Sequence, residues 1–126
     1  MIRTLLGAVA LIAVAIPATA QTYGSKDLAA IKDAAANNEA RFNRDYKGKT
    51  FTARLRFKGT SSGWHQRDVF FVEGVRCNQY KTPDEGKALI AKTIDYKSGQ
   101  PLQVTGTIDD TFLGELLLNA CTWSQP

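Results

Sequence analysis

Catalytic chemistry has little to draw on in this chain. Its 126 residues include one histidine, His65, one methionine, and two cysteines, Cys77 and Cys121. A single imidazole excludes the usual His-rich metal centres. The two cysteines lie too far apart in sequence for a metal knuckle or a redox pair. Ser61-Ser62 lacks the strand, sharp turn and helix of a nucleophile elbow, and no Gly-rich phosphate loop occurs. A net charge of +4 is too small an excess of one sign to announce a nucleic acid binder. These shortages point to a protein with no cofactor and no metal that is not an enzyme and works through its surface.

What is present begins with a leader. Arg3 supplies a positive start, Leu5 to Ile16 form an apolar run, Pro17 breaks it, and Ala18-Thr19-Ala20 makes a small-residue cleavage site before Gln21. The run is too short to span a bilayer comfortably, although an uncleaved N-terminal anchor is the alternative. Residues 1–20 are expected to be a signal peptide cleaved near Ala20, and residues 21–126 a single domain that is periplasmic or secreted. No cysteine follows the cleavage site to take a lipid. Export changes the meaning of Cys77 and Cys121. In an oxidising compartment an even number of cysteines reads as a disulfide, with two unpaired core thiols as the alternative.

The domain is organised around residues 38–57. A helix is expected over 25–46, capped by Ser25, with Leu28, Ile31, Ala35 and Phe42 at near-helical spacing. Asn37 and Asn38 weaken its middle, and Gly48 can take the left-handed conformation that closes it. From Thr50 to Lys58 the period becomes two, with Phe51, Ala53, Leu55 and Phe57 on one face and Thr52, Arg54, Arg56 and Lys58 on the other. Residues 59–63 read as a flexible loop. Strands are expected over 68–72 and 75–80, joined by a Glu73-Gly74 turn, with Arg76 and Gln79 facing outward. Thr82, Pro83 and Glu85 signal a helix running to about Lys92. A fourth strand covers 102–108, Asp109-Asp110-Thr111 is a turn, and a last strand covers 115–122. In that last strand Leu116 and Leu118 oppose Leu117, Asn119 and Cys121. The fold class is mainly β with two helices: a five-stranded OB-fold barrel preceded by an N-terminal helix, the second helix falling between strands three and four.

The stretch Asn38-Glu39 followed by Tyr46-Lys47-Gly48-Lys49 and the first strand resembles the exported bacterial tRNA-anticodon-like OB-fold family. The segments 99–110 and 116–123 are similar to that family's fourth and fifth strands. The resemblance implies an OB fold outside the cytoplasm and carries no catalytic residue with it. A more distant likeness is to exported OB-fold stress proteins, some of them associated with envelope ligands.

Binding in OB folds uses strands two and three, with the loops after strand one and between strands four and five as rims. Trp64 and Phe112 are therefore candidates to stack on a sugar or base, with Arg67 and Arg76 as charge partners. Alternatively the two aromatics cap the ends of the barrel. The stripe Arg54, Arg56, Lys58 either contacts an anionic polymer or is a solvated face salted against edge pairing. His65, beside Trp64, reads as solvated. The expected partner is a protein or an envelope polymer, with oligosaccharide or oligonucleotide as the alternative and nucleic acid disfavoured by the compartment. No stable membrane insertion is expected after signal cleavage.

Overall fold

A computed structural model of the chain describes residues 21–62, 67–78 and 83–126, without the side chains of Ser62, Arg67 and Pro83. Residues 1–20, read above as a signal peptide, the segment 63–66 with Trp64 and His65, and Gln79 to Thr82 lie outside the described residues.

The N-terminal helical region is two helices, α1 (Leu28–Asn37) and α2 (Glu39–Asp45), and not one. Asn38 breaks it with an extended φ of −156°, and its side-chain oxygen accepts a hydrogen bond from the Arg41 backbone N–H at 3.1 Å. Asparagine prefers this capping role to a helix interior. A 3-10 turn, Ser25–Asp27, leads into α1. Its cap is Gly24, whose backbone N–H donates to Asp27 Oδ2 at 2.9 Å, so Ser25 is not the cap. Ile31, Ala34 and Phe42 form the buried stripe. Gly48 has φ of +82°, as the end of a helical segment requires.

The described residues form six strands, one more than expected; five of them close a ring and the extra one lies alongside it. β1 (Thr22–Tyr23) is a short parallel addition to β2 (Thr50–Ser62). Next come β3 (Arg67–Phe71), β4 (Val75–Cys77), β5 (Pro101–Phe112) and β6 (Glu115–Ser124). The order is β1-β2-β3-β4-β6-β5, and β5 returns to pair with β2. Helix α3 (Pro83–Lys92) lies between β4 and β5 in sequence, and Ile90 carries its main contribution to the core. Ala88 and Ala91, expected on its apolar side, are exposed.

β2 runs on past Lys58 because Gly59 to Ser62 pair with Arg67 to Phe70, the register shifting between Phe57 and Gly59. A Gly/Ser-rich composition suggested a loop there, and backbone pairing with β3 overrides it. β2 pairs with β5 along Thr50–Arg56 and with β3 only beyond it, so at Arg54 and Arg56 it has a neighbouring strand on one side alone. The expected turn at 109–111 belongs to β5, which pairs with β6 as far as Phe112–Glu115. The chain reverses instead at Leu113-Gly114, both with positive φ.

The core lies inside the ring. Phe51, Leu55, Val69, Phe71, Val75, Leu102, Val104, Ile108, Leu116 and Leu118 are buried there, with Cys77 and Cys121. Alternation along β6 places Cys121 opposite Leu116 and Leu118, yet it is buried with them. Ala120, at φ of +50°, and the register shift between Thr105 and Thr107 insert an extra residue that reverses the parity. Cys121 thereby turns inward and closes the expected disulfide with Cys77, their Cα atoms 6.0 Å apart. Gly106 makes room for it: a Cβ at that position would sit 3.0 Å from Leu118 Cβ and 3.1 Å from both Asn119 O and Cys121 Sγ.

Candidate functional site

Because Val69, Val75 and Cys77 point inward, their neighbours point outward. Register sets Phe70 opposite Arg76, and Arg76 beside Leu117. Arg76 is the hub of this outer face. Its guanidinium lies 4.7 Å from the Phe70 ring centroid and 5.8 Å from that of Phe112, between a ring on β3 and one at the end of β5. Its Nη2 donates to Glu115 Oε1 at 2.6 Å, and its Nη1 to Asp68 Oδ2 at 3.3 Å. The Arg76 side chain is 19% exposed, so these ion pairs are well shielded from water.

Burial pushes the Asp68 carboxyl above the usual carboxylate range, against the pull of Arg76 and with some help from Glu115. The guanidinium is shared, and the shorter of its two contacts goes to Glu115. Asp68 Oδ1, Arg76 Nε, Asn78 Oδ1 and Asn119 Oδ1 are buried on this side with no hydrogen-bond partner among the described residues. Asn78 follows Cys77, which pairs with Val69 and Leu118, so Asp68, Asn78 and Asn119 share one row across three strands. These oxygens are buried, so the row lies beneath the surface that a ligand would meet.

Two of the four candidate ligand residues, Arg76 and Phe112, thus come together. Phe112 keeps 52% of its surface exposed, so it does not plug an end of the ring. Trp64 lies outside the described residues, and so does the side chain of Arg67, the first residue of β3. Sequence reasoning missed Asp68, Phe70 and Glu115. The strand Arg67-Asp68-Val69-Phe70-Phe71 alternates in and out, and following that parity from Val69 would have placed Asp68 and Phe70 beside Arg76.

The basic stripe divides. The Arg56 backbone N–H and Nε both donate to the Glu73 carboxylate, at 2.9 and 3.0 Å. Burial would raise the Glu73 carboxyl, but these two hydrogen bonds, with one from its own backbone N–H and the charge of Arg56, together outweigh it and hold Glu73 below its ordinary range. Arg54 and Lys58 are exposed. Asp109 and Asp110 occupy strand positions, and Asp110 Oδ1 accepts from the next backbone N–H, that of Thr111. Among the described residues no cluster of His, Cys, Asp and Glu could hold a metal ion. No helix among them is long and apolar enough to cross a membrane.

No protein-family model matches the chain, and no curated protein matches it. Solved structures do. A protein from Klebsiella pneumoniae described as a nucleic acid-binding lipoprotein aligns with 83% of this chain and 92% of its own, at 15% identity and a TM-score of 0.53. An aspartyl-tRNA synthetase from Leishmania major aligns over 89% of this chain at 14% identity and a TM-score of 0.50, and this chain spans 22% of its length. A chain of the S. pombe Stn1-Ten1 complex aligns over 61% at 13% identity with a TM-score of 0.44. At these identities the first two establish the fold alone. With the ring order and the helix between β4 and β5, they define an OB-type β protein.

Proposed function

We propose that the protein is an exported, non-enzymatic binding module that holds a protein partner or a cell-envelope component against the outer face of β3, β4 and β6. The observation that carries this reading is the Arg76 cluster. A guanidinium flanked by two aromatic rings and fixed by two carboxylates gives a rigid, partly apolar platform, and Phe112 stands half exposed at its margin. Rigid aromatic anchors with neighbouring polar groups are the composition of binding hot spots. The face lies on the strands that OB folds use for ligands. Export rests on the leader at residues 1–20 and fits the Cys77–Cys121 bridge.

Oligosaccharide or oligonucleotide is the second reading. The half-exposed ring of Phe112 beside the Arg76 guanidinium suits stacking on a sugar or base. The Klebsiella protein's description keeps nucleic acid within the range of ligands, so the compartment alone does not remove it.

The test compares the wild-type protein with Phe70→Ala and Phe112→Ala. Each is titrated with labelled peptidoglycan fragments and with a single-stranded oligonucleotide, and used for affinity capture from envelope extract. A ligand of this face loses on the order of tenfold in affinity per ring removed. An oligonucleotide shows steep salt dependence and a neutral sugar none. A ligand bound equally well by wild type and both variants sits elsewhere and overturns the assignment.

A further inference from the structure

The charges of the β5–β6 hairpin are all of one sign. Across residues 101–124 the charged side chains are Asp109, Asp110 and Glu115, and no Lys, Arg or His occurs. All three sit near the tip, around the turn Leu113-Gly114. Asp68 on β3 adds a fourth carboxylate, held by the same guanidinium as Glu115. Among the described residues one cation reaches into this group, Arg76, and its single charge is shared between Glu115 and Asp68. Lys32 lies beyond, at the turn after β3, where it donates to the Glu73 carbonyl next to the Arg56–Glu73 ion pair. A chain of net charge +4 therefore carries a local surplus of negative charge at the Arg76 platform.

The same tip is apolar and exposed. Phe112 and Leu113 are 52% and 85% exposed, and Val72, on the adjoining turn, is 44% exposed. Leu116 N–H donates to Gly74 O at 2.9 Å and ties the two turns together. Leu113 has a φ of +50°, a backbone conformation in which Asn, Asp or Gly is favoured. A leucine that strains its turn and buries almost nothing contributes little to the folded monomer, and a contact with another molecule gives it a role. Register extends the surface across the sheet: Phe70 lies opposite Arg76, Arg76 beside Leu117, and Leu117 opposite Asp110. Four such positions span roughly 14 Å, at about 4.8 Å per strand.

A ligand suited to this surface has apolar groups for Phe112 and Leu113 and positive charge for the carboxylates. A phosphodiester or an acidic glycan has neither. Arg76 already directs Nη1 and Nη2 to Asp68 and Glu115, and the surplus of carboxylates repels a further anion. A Lys or Arg side chain is drawn to Asp109 and Asp110 and can rest on the exposed face of Phe112. We propose, on the reading of this face as the binding surface, that its partner is a protein segment carrying Lys or Arg beside aliphatic residues. Its cations pair with Asp109 and Asp110, and its aliphatic side chains cover Phe112, Leu113 and Leu117.

Fluorescence titration of the exported protein with a short labelled peptide of Leu-Leu-Lys-Lys repeats tests it, beside peptides of Leu-Leu-Glu-Glu and Ser-Ser-Lys-Lys repeats and a thymidine oligonucleotide. The wild type should bind the first most tightly, and less tightly as salt rises. Asp109→Asn and Asp110→Asn should each weaken that binding by about two- to fivefold, and Phe112→Ala by on the order of tenfold. Asp33→Asn, which removes an exposed carboxylate on α1, should bind as wild type does. Asp110→Asn keeps the oxygen that accepts from the Thr111 N–H, so an unchanged melt separates lost binding from lost folding.

Phe112-dependent binding of the Glu peptide or the oligonucleotide, in place of the Leu/Lys peptide, would overturn the cationic partner and leave the face standing as a binding surface. Failure of the Leu/Lys peptide to bind, or binding that Phe112→Ala and Asp110→Asn leave unchanged, would overturn it as well. If, in addition, nothing captured from envelope extract depends on Phe70 or Phe112, the reading of the face falls with it.

Discussion

Removing the cross-link between Cys77 and Cys121 should lower stability by on the order of 4 kcal/mol. The two residues are 44 apart in sequence, and chain-entropy arithmetic for a loop of that length gives a loss near 13 cal/mol/K in the denatured ensemble, about 4 kcal/mol at room temperature. For a domain of this size each kcal/mol moves the melting temperature by roughly 4–8 °C, so the melt should fall by about 16–32 °C. Both sulfurs are buried, at 0% and 2% exposure, so native protein should resist mild reductant and release the bridge only after partial unfolding. The clean perturbation is the double variant Cys77→Ala/Cys121→Ala, which leaves no buried thiol to reoxidise. Calorimetry of that variant beside the oxidised wild type reads the shift, and intact mass confirms the bridge in the latter. A shift under about 3 °C would refute the reasoning, because the denatured chain would then be gaining little freedom on release.

Gly106→Ala should destabilise by about 1–3 kcal/mol in urea titration, because the new methyl group meets Leu118, the Asn119 carbonyl and the Cys121 sulfur at once. Asn38→Ala should cost about 1 kcal/mol by losing the cap on α2, and Asn38→Asp should recover most of it. Glu73 should make the wild type lose stability as pH falls. Its folded pKa lies below the ordinary 4.5, so its contribution is fully present above that value and disappears as pH drops through the folded one. Asp68 acts oppositely: its raised folded pKa makes stability fall as pH rises from 3.8 through the raised value. Stability profiles of Glu73→Gln and Asp68→Asn against pH should therefore depart from wild type with opposite slopes on the acid side.

Much of the fold was legible because period and punctuation are local. The alternation from Phe51 to Phe57, the start of α3 at Pro83, the left-handed Gly48 and the element order from β2 to β6 all follow from side-chain spacing and backbone preference. The two strand errors share one cause. Residues 59–62 and 109–111 have turn-like composition, yet each has a partner strand at the right distance, and ladder hydrogen bonds outweigh local propensity. Asn38 was recognised as a weakness and not as a boundary, since a cap and an interior flaw look alike until the backbone direction is known. For the site, Arg76 and Phe112 were found by assuming an OB arrangement. Asp68, Phe70 and Glu115 were missed because their importance exists only relative to Arg76.

The sequence by itself determined which residues prefer the interior, where α3 and the strands of the ring begin, and that two cysteines are available to pair. Only the tertiary structure decided that they do pair. The left-handed Ala120 and the accompanying shift in register turn Cys121 from the outer to the inner side of β6, and such a change of parity depends on how two strands align. The same holds for Arg76. Its two aromatic and two acidic neighbours come from β3, the end of β5 and the start of β6, and closure of the ring is what brings those segments within hydrogen-bonding distance.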